Sequence, residues 1–125
     1  MSPLAGRGAD TRTVSGEIVL PTSGVSPVSA LVIVQVEDIS RADRPSTVVG
    51  EQRQQGVRLR AGAVLPFSVD IATRLIDERH SYSVRVHVSM SASDRVEPGD
   101  FVSTQTYPVL TRGHGTVVRI VVRRV

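Results

Sequence analysis

The chain has 125 residues, enough for one domain that buries a single core without metal or disulfide staples. It contains no cysteine, which excludes a disulfide framework and a thiolate metal site, and its two Tyr and two Phe leave few stacking platforms for bases or sugars. The formal net charge is +3 and all fifteen basic residues are arginine. Along the sequence they are scattered, with only Arg123 and Arg124 adjacent, so the clustered stripe of a nucleic-acid binder is missing and no nucleic-acid partner is expected.

Valine is the commonest residue, and β-branched side chains suit a pleated surface. Residues 1–12, "MSPLAGRGADTR", read as a flexible arm, leaving 13–125 as the domain. The stretches "TVSGEIVL" (13–20) and "SALVIVQVED" (29–38) read as strands around the turn cluster "PTSGVSP". The second is apolar on both faces from Leu31 to Val34, as a central strand would be. "STVVGEQRQ" (46–54) is a weaker strand in which Gly50 predicts a bulge.

"VLPFSVDI" (64–71) alternates, with Leu65, Phe67, Val69 and Ile71 inward. Pro66 cannot donate to a ladder, so this strand should lie at an edge or bend there. "TRLIDER" (73–79) is the one stretch suited to a helical turn. In "HSYSVRVHVSM" (80–90), Tyr82, Val84, Val86, Val88 and Met90 face the core, while Arg85 and His87 face water. "DFVSTQTYPV" (100–109) and "GTVVRIVVRRV" (115–125) complete the set. About seven short strands predict an all-β, two-sheet sandwich, mainly antiparallel and Greek-key-like.

The polar candidates are few. His80, His87 and His114 form no H-E-x-x-H or H-x-H pattern and read as solvated surface histidines. Asp38, Ser40 and Asp43 could offer oxygens to a hard cation, but Ala42 and Arg44 interrupt the alternation, and turns closed on their own backbone explain them better. "GRG" (6–8) and "GHG" (113–115) lack a following helix to bind phosphate, and no serine sits in G-x-S-x-G or S-x-x-K. "TYPVLTRGHG" (106–115) reads as a hairpin reversal that projects Arg112 and His114 from its tip. Tyr82, opening its strand after "LIDERHS", matches the tyrosine corner of sandwich folds. No catalytic residue, metal or cofactor is expected.

From about Val14 onward the chain resembles the YbaY-like family of small bacterial lipoproteins, which includes the YscW-type pilotins of type III secretion. The segments that carry the resemblance are "EDISRADRPSTVVGEQ", "LPFSVDIATRLIDERHSYSVRVHV" and "TQTYPVLTRG", in the same order. It implies a β-sandwich on a lipidated N-terminus at the outer membrane, facing the periplasm. For the pilotin branch it implies a non-enzymatic role: helping a secretin ring reach and assemble in that membrane. Two departures stand out. Arg7 follows "LAG" (4–6) where the lipid-bearing cysteine of such proteins would be expected, and the loop "SASDRVEPGD" (91–100) is longer and more polar than the family pattern.

Two other functions compete with this expectation. One is a general envelope lipoprotein of the same fold with no secretion role. The other is a small enzyme or metal-dependent module built on His80, His87 and His114. A sandwich without a catalytic cluster is suited to offering edges and loops to another chain, and residues 2–12 would act as a tether spanning roughly 20 Å.

Overall fold

The computed structural model describes residues 10–125. Eight strands form: β1 (Thr11–Val19), β2 (Ser29–Asp38), β3 (Thr47–Arg58), β4 (Val64–Ala72), β5 (Tyr82–Ser89), β6 (Phe101–Ser103), β7 (Pro108–Val109) and β8 (Val117–Arg124). A 3-10 turn forms at Thr73–Leu75, shorter than the 73–79 stretch suggested. The all-β expectation holds. Of the predicted arm, residues 1–9 lie outside the described residues, while β1 already pairs Thr11 with Ala72.

The strands follow one path, β3-β2-β5-β6-β8-β1-β4, with β7 paired to β5 beside β6. The path curls until its two ends approach, giving a nearly closed, barrel-like sheet. The expected division into two facing sheets is replaced because β8 belongs to both halves: it pairs antiparallel with β6 and parallel with β1. Every other pairing is antiparallel.

Alternation decides the interior. Val14 and Ile18 of β1, Val32, Val34 and Val36 of β2, Phe67 and Val69 of β4, Val84 and Val86 of β5, and Ile120 and Val122 of β8 fill one aliphatic core. Strand β3 breaks the rule. Its inward positions, opposite Val36, Val34 and Val32, are Gly50, Gln52 and Gln54. These residues face the other end of the path. The Gln52 Oε1 accepts the Ser68 N–H of β4 at 3.0 Å, and the Gln54 Nε2 donates to the Pro66 carbonyl at 3.2 Å. Two amide side chains therefore span the β3–β4 seam. Pro66 lies on a terminal strand as predicted, because its carbonyl, and hence its missing N–H, faces this seam rather than β1.

Two glycines permit this closure. A Cβ on Gly16 would sit 1.7 Å from the Val118 carbonyl oxygen, so β1 and β8 can approach only where a side chain is absent. A Cβ on Gly50 would lie 2.9 Å from both Val69 and Ile71 side-chain carbons. The predicted bulge forms there, with a register shift between Val36, opposite Gly50, and Glu37, opposite Val48.

Tyr82 is buried and its hydroxyl reaches upstream, donating to the Leu75 carbonyl at 3.2 Å and accepting the Asp77 N–H at 2.8 Å. Burial pushes its phenol pKa up. This is the tyrosine corner read from the sequence. The "TYPVLTRGHG" reversal brings β8 back antiparallel to β6, but β7 pairs only with β5, so the hairpin is splayed. The Tyr107 hydroxyl fills the gap, bonding both the N–H and the carbonyl of Val121.

Gly16→Ala is expected to destabilise the fold by about 4 kcal/mol or more, since the clash is with backbone and cannot be relieved by a rotamer change. Urea unfolding followed by circular dichroism measures it. Tyr82→Phe, which keeps the packing and removes two hydrogen bonds, is expected to cost about 1–2 kcal/mol in the same assay.

A candidate protein-binding trough

On the outer face of β3, β2 and β5 the alternation places Leu31, Ile33, Gln35 and Glu37 beside Arg85 and His87. A fully wet face would leave these side chains in water. The loop 90–100 prevents that by folding over the face, and Ile33 is only 5% exposed. This is why β2 is apolar on both sides.

Asp100 holds the loop down. It is 1% exposed, and its carboxylate accepts the Met90 N–H at 2.9 Å, the Glu97 N–H at 3.0 Å and a bond of 2.8 Å from His87 Nε2. Burial works to raise its pKa, yet the bonds from His87, Met90 and Glu97 outweigh it and hold the carboxyl below the usual aspartate range. His87 was expected to be solvated. It is instead 9% exposed, because the loop brings a carboxylate onto its ring. Sequence spacing alone gave no sign of this pair; an aspartate closing an unusually long loop was the nearest hint.

A trough remains beside the loop. Its central part, about 300 Å³, has Ile33 and Gln35 as floor, Arg53 of β3 and Arg85 of β5 as walls, and Asp94 and Val96 as a bank. Arg53 also borders a depression of about 310 Å³ near Leu31, Gly56, Met90 and Ala92. Arg85 borders another of about 320 Å³ near Glu37, Ser83 and Gln105, where residues 104–106 swing away from β5. Each of the two shares one arginine with the central part.

The walls are paired among themselves. Arg53 Nη2 meets Asp94 at 2.6 Å, Gln35 donates to Glu51 at 2.7 Å, and Arg85 meets Glu37 at 3.3 Å. The Arg53–Asp94 pair crosses the trough at the surface, where such a bridge is worth little and opens readily. Mixed amides and guanidinium groups around a floor of Ile33 and Gln35 suit a polypeptide better than a small reactive molecule.

The remaining candidates lie apart. Asp38 accepts the Ser40 N–H at 3.0 Å, which is the predicted turn, and also binds His80 Nδ1 at 2.6 Å. Burial works to raise the Asp38 pKa, but Ser40 and His80 bring it below its usual value. His80 is thus a structural partner, half-buried, and not free in water. Asp77, bonded to the side chain and backbone of Arg79, has its pKa lowered to about 2. Asp43 and His114 are exposed, and Arg112 bonds the Arg79 carbonyl at 2.6 Å. Among the described residues, no three His, Asp or Glu side chains converge as metal ligands.

The structure defines a small barrel-like β domain with an open trough on its outer face. The family model for the type III secretion system lipoprotein chaperone YscW matches residues 9–122, and the chain belongs to that family. No curated protein sequence matches it. A solved structure described as an alternative pilotin from the type II secretion system of Vibrio cholerae has a similar fold. Its TM-score is 0.74 at 24% identity, covering 92% of this chain and 97% of that one.

Asp100→Ala is expected to cost about 3 kcal/mol, because it leaves the buried His87 and two part-buried amides without their acceptor. Asp38 and Asp100 both titrate below the ordinary aspartate range when folded. Their stabilisation is therefore complete above about pH 4 and is lost as pH falls through their lowered values. Thermal unfolding between neutral and acid pH measures this, and Asp100→Asn is expected to flatten the dependence.

Proposed function

We propose that this chain is a pilotin-like chaperone that binds a secretin subunit of a type III secretion system and assists its targeting to, or assembly in, the outer membrane. The observation that carries the reading is the family match across residues 9–122. The pilotin of similar fold supports it, and so does the trough, whose size and chemistry suit a protein segment. In this reading a lipid at the N-terminal side anchors the domain, and residues 1–10 serve as the tether. Strand β1 starts at Thr11, so the tether leaves the barrel at the end that also carries Ala72 and Tyr82.

Deleting the gene tests the proposal. Secretin multimers in outer-membrane fractions are expected to fall, with monomer accumulating elsewhere in the envelope. Unchanged multimers, together with no secretin co-purifying with the tagged protein, would favour a general envelope lipoprotein of the same fold.

A further inference from the structure

The arginines that look scattered in the sequence are gathered by the fold. At the end of the barrel opposite Thr11, the strands present Val19, Ser29, Arg58, Val64, Ser89, Phe101 and Arg124. Arg58 pairs with Ser29, Arg123 with Val102 and Arg124 with Phe101. Arg124 occupies an inward register position, opposite the buried Phe101, yet it is itself exposed. Arg60 sits in the turn between β3 and β4, and Arg95 in the loop between β5 and β6.

All five side chains are exposed, and among the described residues none has a carboxylate within ion-pair distance. The acids on this side are committed elsewhere. Asp94 holds Arg53, Glu97 accepts from the Ser91 hydroxyl, and Asp100 is buried beneath its loop. The opposite end differs, since its arginines are interleaved with Asp38, Asp43, Asp77 and Glu78. One part of the trough is lined by Ser29, Gln55, Gly56 and Ala92, and Ser29 is the cross-strand partner of Arg58.

We infer that this arginine end is a docking surface for an acidic segment of a protein partner, which enters the trough beside Ser29 and Gly56. The inference rests on the reading that the chain meets a protein. Arginine suits the task, because its planar fork can hold a carboxylate with two parallel hydrogen bonds. Unpaired surface cations also steer an acidic partner and set its orientation. The position argues for a protein over lipid headgroups: the arginines lie a full strand length, about 30 Å, from the end where the N-terminal segment attaches.

The test uses the full chain and a fluorescein-labelled peptide of alternating glutamate and serine. Controls are the glutamine-for-glutamate peptide and vesicles rich in phosphatidylglycerol. Fluorescence anisotropy is expected to show binding of the acidic peptide alone, weakening as salt is raised. Replacing Arg58, Arg60, Arg95, Arg123 and Arg124 with serine is expected to weaken binding by about tenfold or more while leaving the unfolding midpoint nearly unchanged. Equal binding by the serine variant, or binding to vesicles and not to the peptide, would overturn the inference. In cells, normal secretin multimers with the serine variant, against a clear deletion phenotype, would remove the docking surface alone. No deletion phenotype would instead remove the chaperone reading.

Discussion

The close approach of β1 to β8 at Gly16 is the constraint on which the architecture depends. Among the described residues β8 alone pairs with both halves of the path, and one Cβ at position 16 would occupy the space of the Val118 carbonyl. With that contact made, β1 and β4 are carried round to face β3, and the apolar sides of all the long strands turn toward one interior. Without it the chain would have two smaller sheets, each with a valine-rich face and too little to cover it. A residue with no side chain thus decides how the valines pack.

The outer surface is arranged by a second, more local device. Loop 90–100 turns part of an outward face into a covered one by placing a single buried carboxylate where a ring nitrogen and two amides can all donate to it. A fully satisfied polar network of this kind fixes one loop position, whereas a partly satisfied one would leave it adrift. The two ends of the loop that carries the bank of the trough are therefore fixed to the sheet. What can still adjust are the surface pairs across it, which cost little to rearrange.

Much of the barrel was legible in the sequence because alternation, prolines and turn residues act locally. The strands at 13–20, 29–38, 64–71 and 80–90, the edge position of Pro66, the bulge at Gly50 and the role of Tyr82 all follow from neighbours in the chain. Closure was not legible. Gly16 reads as a weak point in a strand until Val118, about a hundred residues away, is known to lie against it. The histidines illustrate the same limit: His87 stands on the face that alternation assigns to water, and only the return of a distant loop buries it. The arginines of the far end lie on separate segments of the chain, so their common location belongs to the topology and is invisible to any search for clusters along the sequence.

The glutamine seam has a consequence of its own. Elsewhere the sheet is sewn by backbone amides, whose partners are fixed by register, but between β3 and β4 the stitches are two side-chain amides that can let go one at a time. With side-chain bonds in place of a backbone ladder, the seam is a weaker join than the paired strands around it. While closed, the stitches also mask two raw margins that would otherwise invite a neighbouring copy to add its own strand. A self-bandaged margin keeps copies apart at the cost of one soft line in the wall.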